Sequence, residues 1–233
     1  MKISKETLDV LKNFSVVNPN LVIKEGNKLS TIAEAKNIMA SANVPETFPK
    51  EVGIYDLNEF LSALSLISDP EFEFGEDSVV IKSPTASITY RYADTSILTA
   101  PQKEVTMPDA DVNVDLSADD IAHIRRAGGA LGHSVVSIVS KEGDDKVFLQ
   151  VKDPNNSSAN VFELEVGSAY STTVDFDLQF LISNLTLIPG DYKVSVSSKL
   201  ISHWECINNN SVEYWIALEK SSTFNSLNFK KRV

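Results

Sequence analysis

Residues with metal-ligating side chains cluster near the middle of the sequence, at a spacing close to that of a calcium-binding loop. Asp109, Asp111 and Asn113 occupy alternate positions. Asp120 stands at the twelfth position of the same stretch. Such a loop needs glycine at its sixth position, where this chain has Val114, and a bidentate glutamate at its last. The pattern therefore favours an acidic linker that runs into a helix cap over a calcium site.

The other combinations that could support catalysis or cofactor binding are incomplete. His203 and Cys206 supply two ligand types within four residues, but nothing elsewhere supplies the other two ligands of a zinc site. The glycines of 128–132 follow a predicted helix, which favours a helix end over a dinucleotide-binding loop. The signatures of serine hydrolases, zinc proteases and phosphate loops are missing from the sequence. We therefore predict that the protein is not an enzyme and holds no metal or cofactor.

Basic residues follow a clearer pattern, beginning with one side of a predicted N-terminal helix. Ser4 can cap this helix, and apolar residues follow at 3.6-residue spacing as far as Phe14. Lys5 and Lys12 lie one heptad apart, within about 20° of each other around the axis, and Lys2 precedes them. The helix therefore has one apolar face for the core and a second, mixed face that bears lysines.

A third predicted helix carries the other concentration of basic charge. Ser117 and Asp120 resemble a capping box, with Asp in the place usually taken by Glu. Apolar residues share one face of this helix, whereas Arg126 lies on the other face with Arg125 at the border. Basic residues are thus concentrated on two of four predicted helices. The alternative interpretation is that each is simply part of a solvated helix face.

The rest of the chain is predicted as two further helices, a linker and many short strands. The second helix spans 56–67 with Asp56 as its N-cap, and the fourth spans 177–188. Residues 33–49 form a polar span with no assigned element, and 100–116 a linker with two prolines and alternating charges. Strands are predicted at 21–24, 51–55, 71–74, 78–82, 86–91, 134–140, 146–152, 161–166, 172–176, 192–199, 202–208 and 211–219.

An internal likeness links the second and fourth predicted helices. Residues 56–67 and 177–188, which are 121 positions apart, are identical at six of twelve positions. Chance similarity between two leucine-rich amphipathic helices is one explanation. Because the order of helices and strands also recurs on both sides of the linker, we favour a tandem duplication of one α+β domain. That duplication predicts that Leu57 superimposes on Leu178 and Leu64 on Leu185.

The composition and net charge restrict the class of protein and the partners that it can attract. The 233 residues, 42% of them hydrophobic and 23% charged, suit two globular domains. Neither a leader sequence nor a membrane span is predicted, and a single cysteine fits a reducing cytoplasm. With 21 basic and 32 acidic residues the net charge is −11, which argues against general attraction to nucleic acid.

Several blocks along the chain resemble the DNA sliding clamps of T-even-type bacteriophages, the processivity factors of their DNA polymerases. The blocks are Met1-Lys-Ile-Ser-Lys5 through Leu11-Lys-Asn-Phe14, Ile54-Tyr-Asp-Leu-Asn58 with Phe60-Leu61 and Leu64-Ser-Leu66, Ala100-Pro-x-Lys103, Pro189-Gly-x-Tyr-Lys193, and Ala217-Leu-Glu219 with Ser222-Thr223. The resemblance covers essentially the whole chain. Each block alone is a weak signal, but their shared order along one chain argues against coincidence. The departures are the arginine pair of the third helix, a basic tail beyond Ser226, and weak likeness over 143–171.

The resemblance implies an α+β chain of tandem duplicated clamp domains, each with two helices on antiparallel sheet. The domains would span 1–103 and 115–233, with an interdomain connector at 104–114. Three subunits would close into a ring around duplex DNA and tether the replicative DNA polymerase. An ATP-dependent clamp loader, a platform role in late transcription and the cytoplasm of an infected bacterial host are further implications.

The resemblance also assigns two candidate sites. The DNA-facing residues would be Lys2, Lys5, Lys12, Arg125 and Arg126. A ring holds DNA by topology, so this modest lining is sufficient, and the acidic excess can lie outside. The partner-binding residues would be Val105, Met107 and Pro108 of the linker with Pro189, Ile216, Leu218 and Phe224. Alternatively, Val105 and Met107 merely pin the linker onto a domain.

Two other classes of protein remain possible on the sequence. One is a non-enzymatic phage structural or assembly protein built of repeated β-rich domains. The other is a hydrolase that uses two carboxylates, for which only the abundance of Asp and Glu speaks. The basic helix faces favour a clamp over a shell component, which needs no cationic lining.

Overall fold

The computed structural model describes residues 1–140, 146–168, 170–171, 173–208 and 212–226. The chain divides into two compact units, one of residues 1–104 with 186–188 and one of 105–185 with 189–233. Helices and antiparallel strands build each unit, so the predicted α+β class is confirmed. In the described ranges, no helix has both the length and the apolar character needed to cross a membrane.

The first unit begins with helix α1 (Lys5–Val17), which is capped and amphipathic as predicted. The Ser4 hydroxyl accepts a hydrogen bond from the Thr7 backbone N–H at 3.2 Å and so satisfies one free donor of the first turn. Leu11 and Phe14 are fully buried on the inner side. The helix ends at Asn18, which Pro19 follows.

Helix α2 (Leu57–Leu64) is the shorter helix of this unit. The Asp56 carboxylate caps it by accepting from the backbone N–H groups of Asn58 (2.9 Å) and Glu59 (3.0 Å). Leu57, Phe60 and Leu64 are buried at the spacing of one helical face.

The strands of the first unit form small antiparallel groups. β1 pairs with β4, β2 pairs with β3, and β5, β6 and β7 form a three-stranded sheet. Their bounds are β1 (Leu21–Ile23), β2 (Gly26–Ile32), β3 (Ile38–Phe48), β4 (Val52–Ile54), β5 (Glu71–Phe74), β6 (Ser78–Lys82) and β7 (Ser87–Arg91).

The second unit contains one α-helix among its described residues, α3 (Ala118–Leu131). The predicted capping box is confirmed, because the Ser117 hydroxyl accepts from the Asp120 N–H and the Asp120 carboxylate accepts from the Ser117 N–H. The helix ends at Gly132, whose φ of +69° is the left-handed conformation that glycine adopts without strain. The glycine-rich stretch is therefore a helix end, as predicted.

Two groups of antiparallel strands complete the second unit. One sheet has the order β11-β10-β9-β13-β17, and in a second sheet β12, β8, β14, β15 and β16 are consecutive neighbours. The bounds are β8 (Val112–Leu116), β9 (Val135–Ser140), β10 (Lys146–Lys152), β11 (Phe162–Ser168), β12 (Tyr170–Ser171), β13 (Thr173–Leu181), β14 (Tyr192–Ser197), β15 (Ile201–Cys206), β16 (Val212–Ala217) and β17 (Thr223–Ser226).

The prediction of a fourth helix at 177–188 is wrong. Residues up to Leu181 belong to β13, and a single 3₁₀ turn (Ile182–Asn184) follows. Leu178 is therefore a strand residue, and Leu185 follows the 3₁₀ turn. Their predicted counterparts, Leu57 and Leu64, lie in α2, so neither predicted pair occupies matching elements and the predicted superposition fails. With it fails the expectation of two α-helices in the second domain.

A different pair of elements carries the internal likeness. Both α1 and α3 begin after a serine N-cap, Ser4 and Ser117, and each serine accepts from the backbone N–H three residues later at 3.2 Å. Counted from the caps, Leu11 and Ile124 stand at the same position, and both are buried. The second half thus repeats the first helix of the unit but not the second.

Strands β2, β3, β8 and β17 lie in segments for which no strand was predicted. The polar span 33–49 includes β3, whose small and polar residues are nevertheless mostly buried by neighbouring strands and α1. The end of the predicted linker is β8, in which Val112, Val114 and Leu116 alternate with exposed residues. The basic tail beyond Ser226 lies outside the described residues.

Candidate DNA-facing helices and partner surface

The exposed side of α1 is a stripe of four residues spaced by four, three and four positions. Lys5, Asp9, Lys12 and Val16 form this stripe, and all four are exposed. The Lys12 ammonium lies 3.6 Å from the Asp9 carboxylate, an ion pair between side chains that are 64% and 50% exposed. The stripe therefore offers cations to a ligand, but interleaves them with a carboxylate.

Lys2 stands just before α1 and has its own acidic partner. Its ammonium nitrogen lies 2.6 Å from the Asp69 carboxylate. The hydrogen bond to Asp69 raises the pKa of Lys2 above its ordinary value. Lys2 is consequently charged and exposed, yet paired within its own unit.

An anchor that the sequence did not indicate holds the start of α1. The Glu46 carboxylate, from β3, accepts hydrogen bonds from the Ser4 backbone N–H and the Thr7 hydroxyl. Partial burial acts to raise the pKa of Glu46, but these hydrogen bonds outweigh it and hold the pKa below its ordinary value. The carboxylate therefore stays charged and fixes the end of the helix that bears Lys5.

The two arginines of α3 have different surroundings. The Arg125 guanidinium donates a hydrogen bond to the backbone carbonyl of Leu185, just after the 3₁₀ turn. Arg126 is exposed, on the same side as His123, whose Nδ1 lies 2.8 Å from the Asp119 carbonyl oxygen. Both arginines are exposed, but Arg125 is fastened to a neighbouring segment.

The predicted partner-binding residues differ in exposure. Val105, Met107 and Pro108 are half-buried, so a part of each linker side chain remains accessible. The other four are Pro189 (exposed), Phe224 (half-buried), Leu218 (6% exposed) and Ile216 (fully buried). The three linker residues, Pro189 and Phe224 can therefore contact a partner directly. Leu218 and Ile216 could do so only if this unit rearranged.

The stretches that resembled metal sites have structural roles. The His203 Nε2 lies 2.9 Å from a Glu213 carboxylate oxygen, and the His203 ring stacks on Trp215 with centroids 4.9 Å apart. The Asp111 carboxylate accepts from the Ser198 backbone N–H at 2.6 Å. Among the described residues, no group of three or more His, Cys, Asp or Glu side chains could hold a metal ion.

Solved structures of sliding clamps share this fold. PCNA from Thermococcus kodakaraensis matches with a TM-score of 0.68 at 14% identity, over 92% of this chain and 96% of that chain. The proliferating cellular nuclear antigen of Entamoeba histolytica matches at 0.66 and 14% identity, over 91% and 94%. A Helicobacter pylori beta clamp bound to DNA ligase peptide matches at 0.64 and 16% identity, over 94% of this chain and 67% of that chain. The architecture is that of a sliding clamp.

Sequence relatives narrow the class to phage proteins. The sliding clamp of Vibrio phage KVP40 is 34% identical over 94% of this chain and 99% of its own length. Those of Escherichia phage RB69 and Enterobacteria phage T4 are each 30% identical over 96% and 99%. The family model of the DNA polymerase processivity factor matches residues 4–99, and that of the gp45 sliding clamp, C terminal, matches 113–220.

The chain therefore belongs to the phage sliding clamps, a family of DNA polymerase processivity factors. The resemblance stated from the sequence is confirmed. The sliding clamp is favoured over the structural or assembly protein, because the similarity extends along nearly the full length of chain and relatives.

Proposed function

We propose that three copies of this chain close head to tail into a ring that encircles duplex DNA and tethers the replicative DNA polymerase. Each subunit contributes two clamp domains, 1–103 and 115–233, joined by the connector 104–114. An ATP-dependent loader opens the ring in the cytoplasm of the infected bacterium. The role is topological and includes no catalytic step. The observation that carries the proposal is the match to phage sliding clamps over nearly the whole chain.

The distribution of charge supports this role. A net charge of −11 opposes general adsorption to DNA, whereas exposed cations stand on the outer sides of α1 and α3. In the proposed ring, Lys2, Lys5, Lys12, Arg125 and Arg126 face the duplex. Contacts to phosphates carry no sequence information, so the ring can move along any duplex. Arg126 and Lys5 are the members best placed to reach phosphates, because they are exposed and Arg125 is engaged with Leu185.

Charge reversal on the two helices tests the lining. We expect Lys5→Glu, Lys12→Glu and Arg126→Glu, combined in one chain, to reduce the affinity of the ring for duplex DNA and the length of DNA synthesised per polymerase binding event. The matched control replaces Lys24, Lys199 and Lys220, which are exposed but lie outside α1 and α3, with Glu. Equal effects of the two sets would contradict the lining, because the total charge changes equally in both.

We further propose that the partially exposed linker residues receive a short peptide of the polymerase or the loader. The Helicobacter pylori beta clamp bound to DNA ligase peptide is a structural neighbour that binds a peptide, which supports this mode of tethering. Val105, Met107 and Pro108, with Pro189 and Phe224, would touch the peptide, while the buried Ile216 and Leu218 would support them from below.

Substitution at Met107 tests the peptide site. Since a central apolar anchor typically carries about 2 kcal/mol or more, Met107→Asp should weaken polymerase binding by about tenfold or more. Thr106→Asp is the matched control, because it adds the same charge at an exposed neighbouring position. An intact oligomer with full processive synthesis at limiting polymerase in the Met107→Asp variant would place the peptide site elsewhere.

A further inference from the structure

One carboxylate interrupts the basic stripe of α1. Asp9 stands four residues after Lys5 and three residues before Lys12, so its side chain lies on the same side of the helix as both lysines. It is bound to Lys12 at 3.6 Å. On a surface that serves only to attract a polyanion, an acidic residue at this position is unfavourable, because it repels phosphates and occupies a cation.

The ion pair between Asp9 and Lys12 is weak enough to exchange partners. Both side chains are at least half exposed, and an exposed ion pair three residues apart on a helix is weak. A phosphate oxygen that approaches the stripe can therefore replace the Asp9 carboxylate as the partner of Lys12, and the carboxylate can recapture the lysine when the phosphate moves on.

Resting on the function proposed above, we infer that Asp9 competes with DNA phosphates for Lys12 and thereby limits how firmly the ring holds the duplex. Exchange between a fixed carboxylate and a passing phosphate lowers the number of phosphate contacts held at one time. Weak, exchangeable contacts let the ring slide, whereas a full set of lasting contacts would fix it at one place. Asp9 thus affects how readily the ring moves along DNA and not the stability of the folded protein.

The salt dependence of binding reports this competition directly. The logarithm of the binding constant falls with the logarithm of the salt concentration by about 0.9 for each phosphate that the protein neutralises. Release of one lysine in each of three subunits should therefore steepen the slope by up to about 2.7. General electrostatic repulsion by a distant acidic residue changes the affinity but adds no phosphate contact.

The test compares Asp9→Asn with Glu6→Gln in the full-length protein. Glu6 is also exposed and lies on α1, about 100° around the axis from Lys5, so its removal changes the net charge equally away from the stripe. Binding to a short fluorescein-labelled duplex, which can thread through a ring without a loader, is measured by anisotropy over a series of salt concentrations. We expect tighter binding and a steeper slope for Asp9→Asn than for wild type, with the slope of Glu6→Gln unchanged.

A second substitution shows whether Lys12 carries the effect. In the double variant Asp9→Asn, Lys12→Gln the slope should return to that of Lys12→Gln alone, because no lysine is left to release. Equal slopes for wild type and Asp9→Asn, with duplex binding otherwise normal, would overturn the inference. Wild-type protein that binds the short duplex but is retained equally on circular and on linear DNA would instead overturn the proposed function on which the inference rests.

Discussion

Residues 56–67 and 177–188 are half identical in sequence but fold differently. The first segment contains helix α2, and the second contains the end of strand β13 and a 3₁₀ turn. Six shared residues, four of them leucine or isoleucine, are thus compatible with either structure. The difference shows that the positions between the shared residues, and the partners available to them, decide the structure.

The residues that differ set the period of burial. Within α2 the buried residues are Leu57, Phe60 and Leu64, which share one face of the helix. In β13, which contains the start of the second segment, the apolar residues Phe176, Leu178 and Phe180 stand at every other position and are buried, as is Gln179. The position aligned with the exposed Glu59 is the buried Phe180 in the second segment, which continues the alternation of apolar residues that begins at Phe176.

The contacts made by the aspartate that begins each segment agree with the different burial patterns of the two segments. Asp56 caps α2 through two backbone N–H groups. Its counterpart Asp177 is paired at 2.6 Å with Lys152 of β10, a strand of the same sheet, and caps no helix. β13 lies between β9 and β17, so hydrogen bonds on both edges of the strand replace those a helix would make.

The largest effect should come from the position that separates the two patterns. Phe180 has no exposed surface and meets Trp204 edge to face, with ring centroids 5.7 Å apart. We expect Phe180→Ala to lower the free energy of unfolding by about 3–5 kcal/mol, measured by chemical denaturation. Glu59→Ala at the aligned exposed position should change it by less than about 0.5 kcal/mol. Similar losses at both positions would break the comparison.

An intermediate effect is expected where the 3₁₀ turn packs on α3. A Cβ added at Gly128 would lie 2.6 Å from the Ile182 side chain, whereas one added at Gly129 would meet nothing within 4 Å. Gly128→Ala should therefore cost about 1–2 kcal/mol of stability, because the Ile182 side chain must shift and the added Cβ would lie only 3.1 Å from the His133 carbonyl oxygen. Gly129→Ala should instead stabilise the helix by about 0.5–1 kcal/mol. Thermal unfolding of the two variants would contradict this packing if both were stabilised.

The smallest effect concerns the cap of α2. Asp56→Ala removes the acceptor of two backbone N–H groups and should destabilise the protein by about 1 kcal/mol. Asp56→Ser keeps a capping oxygen and should cost only a few tenths of that. Urea denaturation that fails to distinguish the two variants would show that the cap does not set the start of this helix.

Local signals predicted the elements that local interactions stabilise. The serine caps of α1 and α3, the aspartate cap of α2 and the apolar periods of these helices could be read correctly from the sequence. The prediction of a strand over 172–176 matches the start of β13, but the likeness of 177–188 to the second helix led to a helix where the strand in fact continues to Leu181. β3 was missed because it contains many small and polar residues, which are buried by β2 and α1 rather than marked by an apolar alternation of their own.

The candidate DNA-facing surface also has some features that the sequence predicts and others that only the structure shows. The stripe of Lys5 and Lys12 follows from helical geometry, and so could be predicted. The bond from Arg125 to the Leu185 carbonyl, 60 positions away, and the contacts of Glu46 with the start of α1 depend on tertiary structure. Sequence alone therefore gives the charges of the surface, whereas the structure shows which of those charges are already engaged.

The central claim is that the protein holds DNA by encircling it. The most direct measurement loads the protein onto nicked circular DNA with the cognate ATP-dependent clamp loader, isolates the complex at high salt and then cuts the circle. We predict that the protein stays on the intact circle and is released once the DNA is linear, because a ring can slide off a free end. Equal retention before and after cutting would contradict encirclement and indicate direct adsorption to DNA.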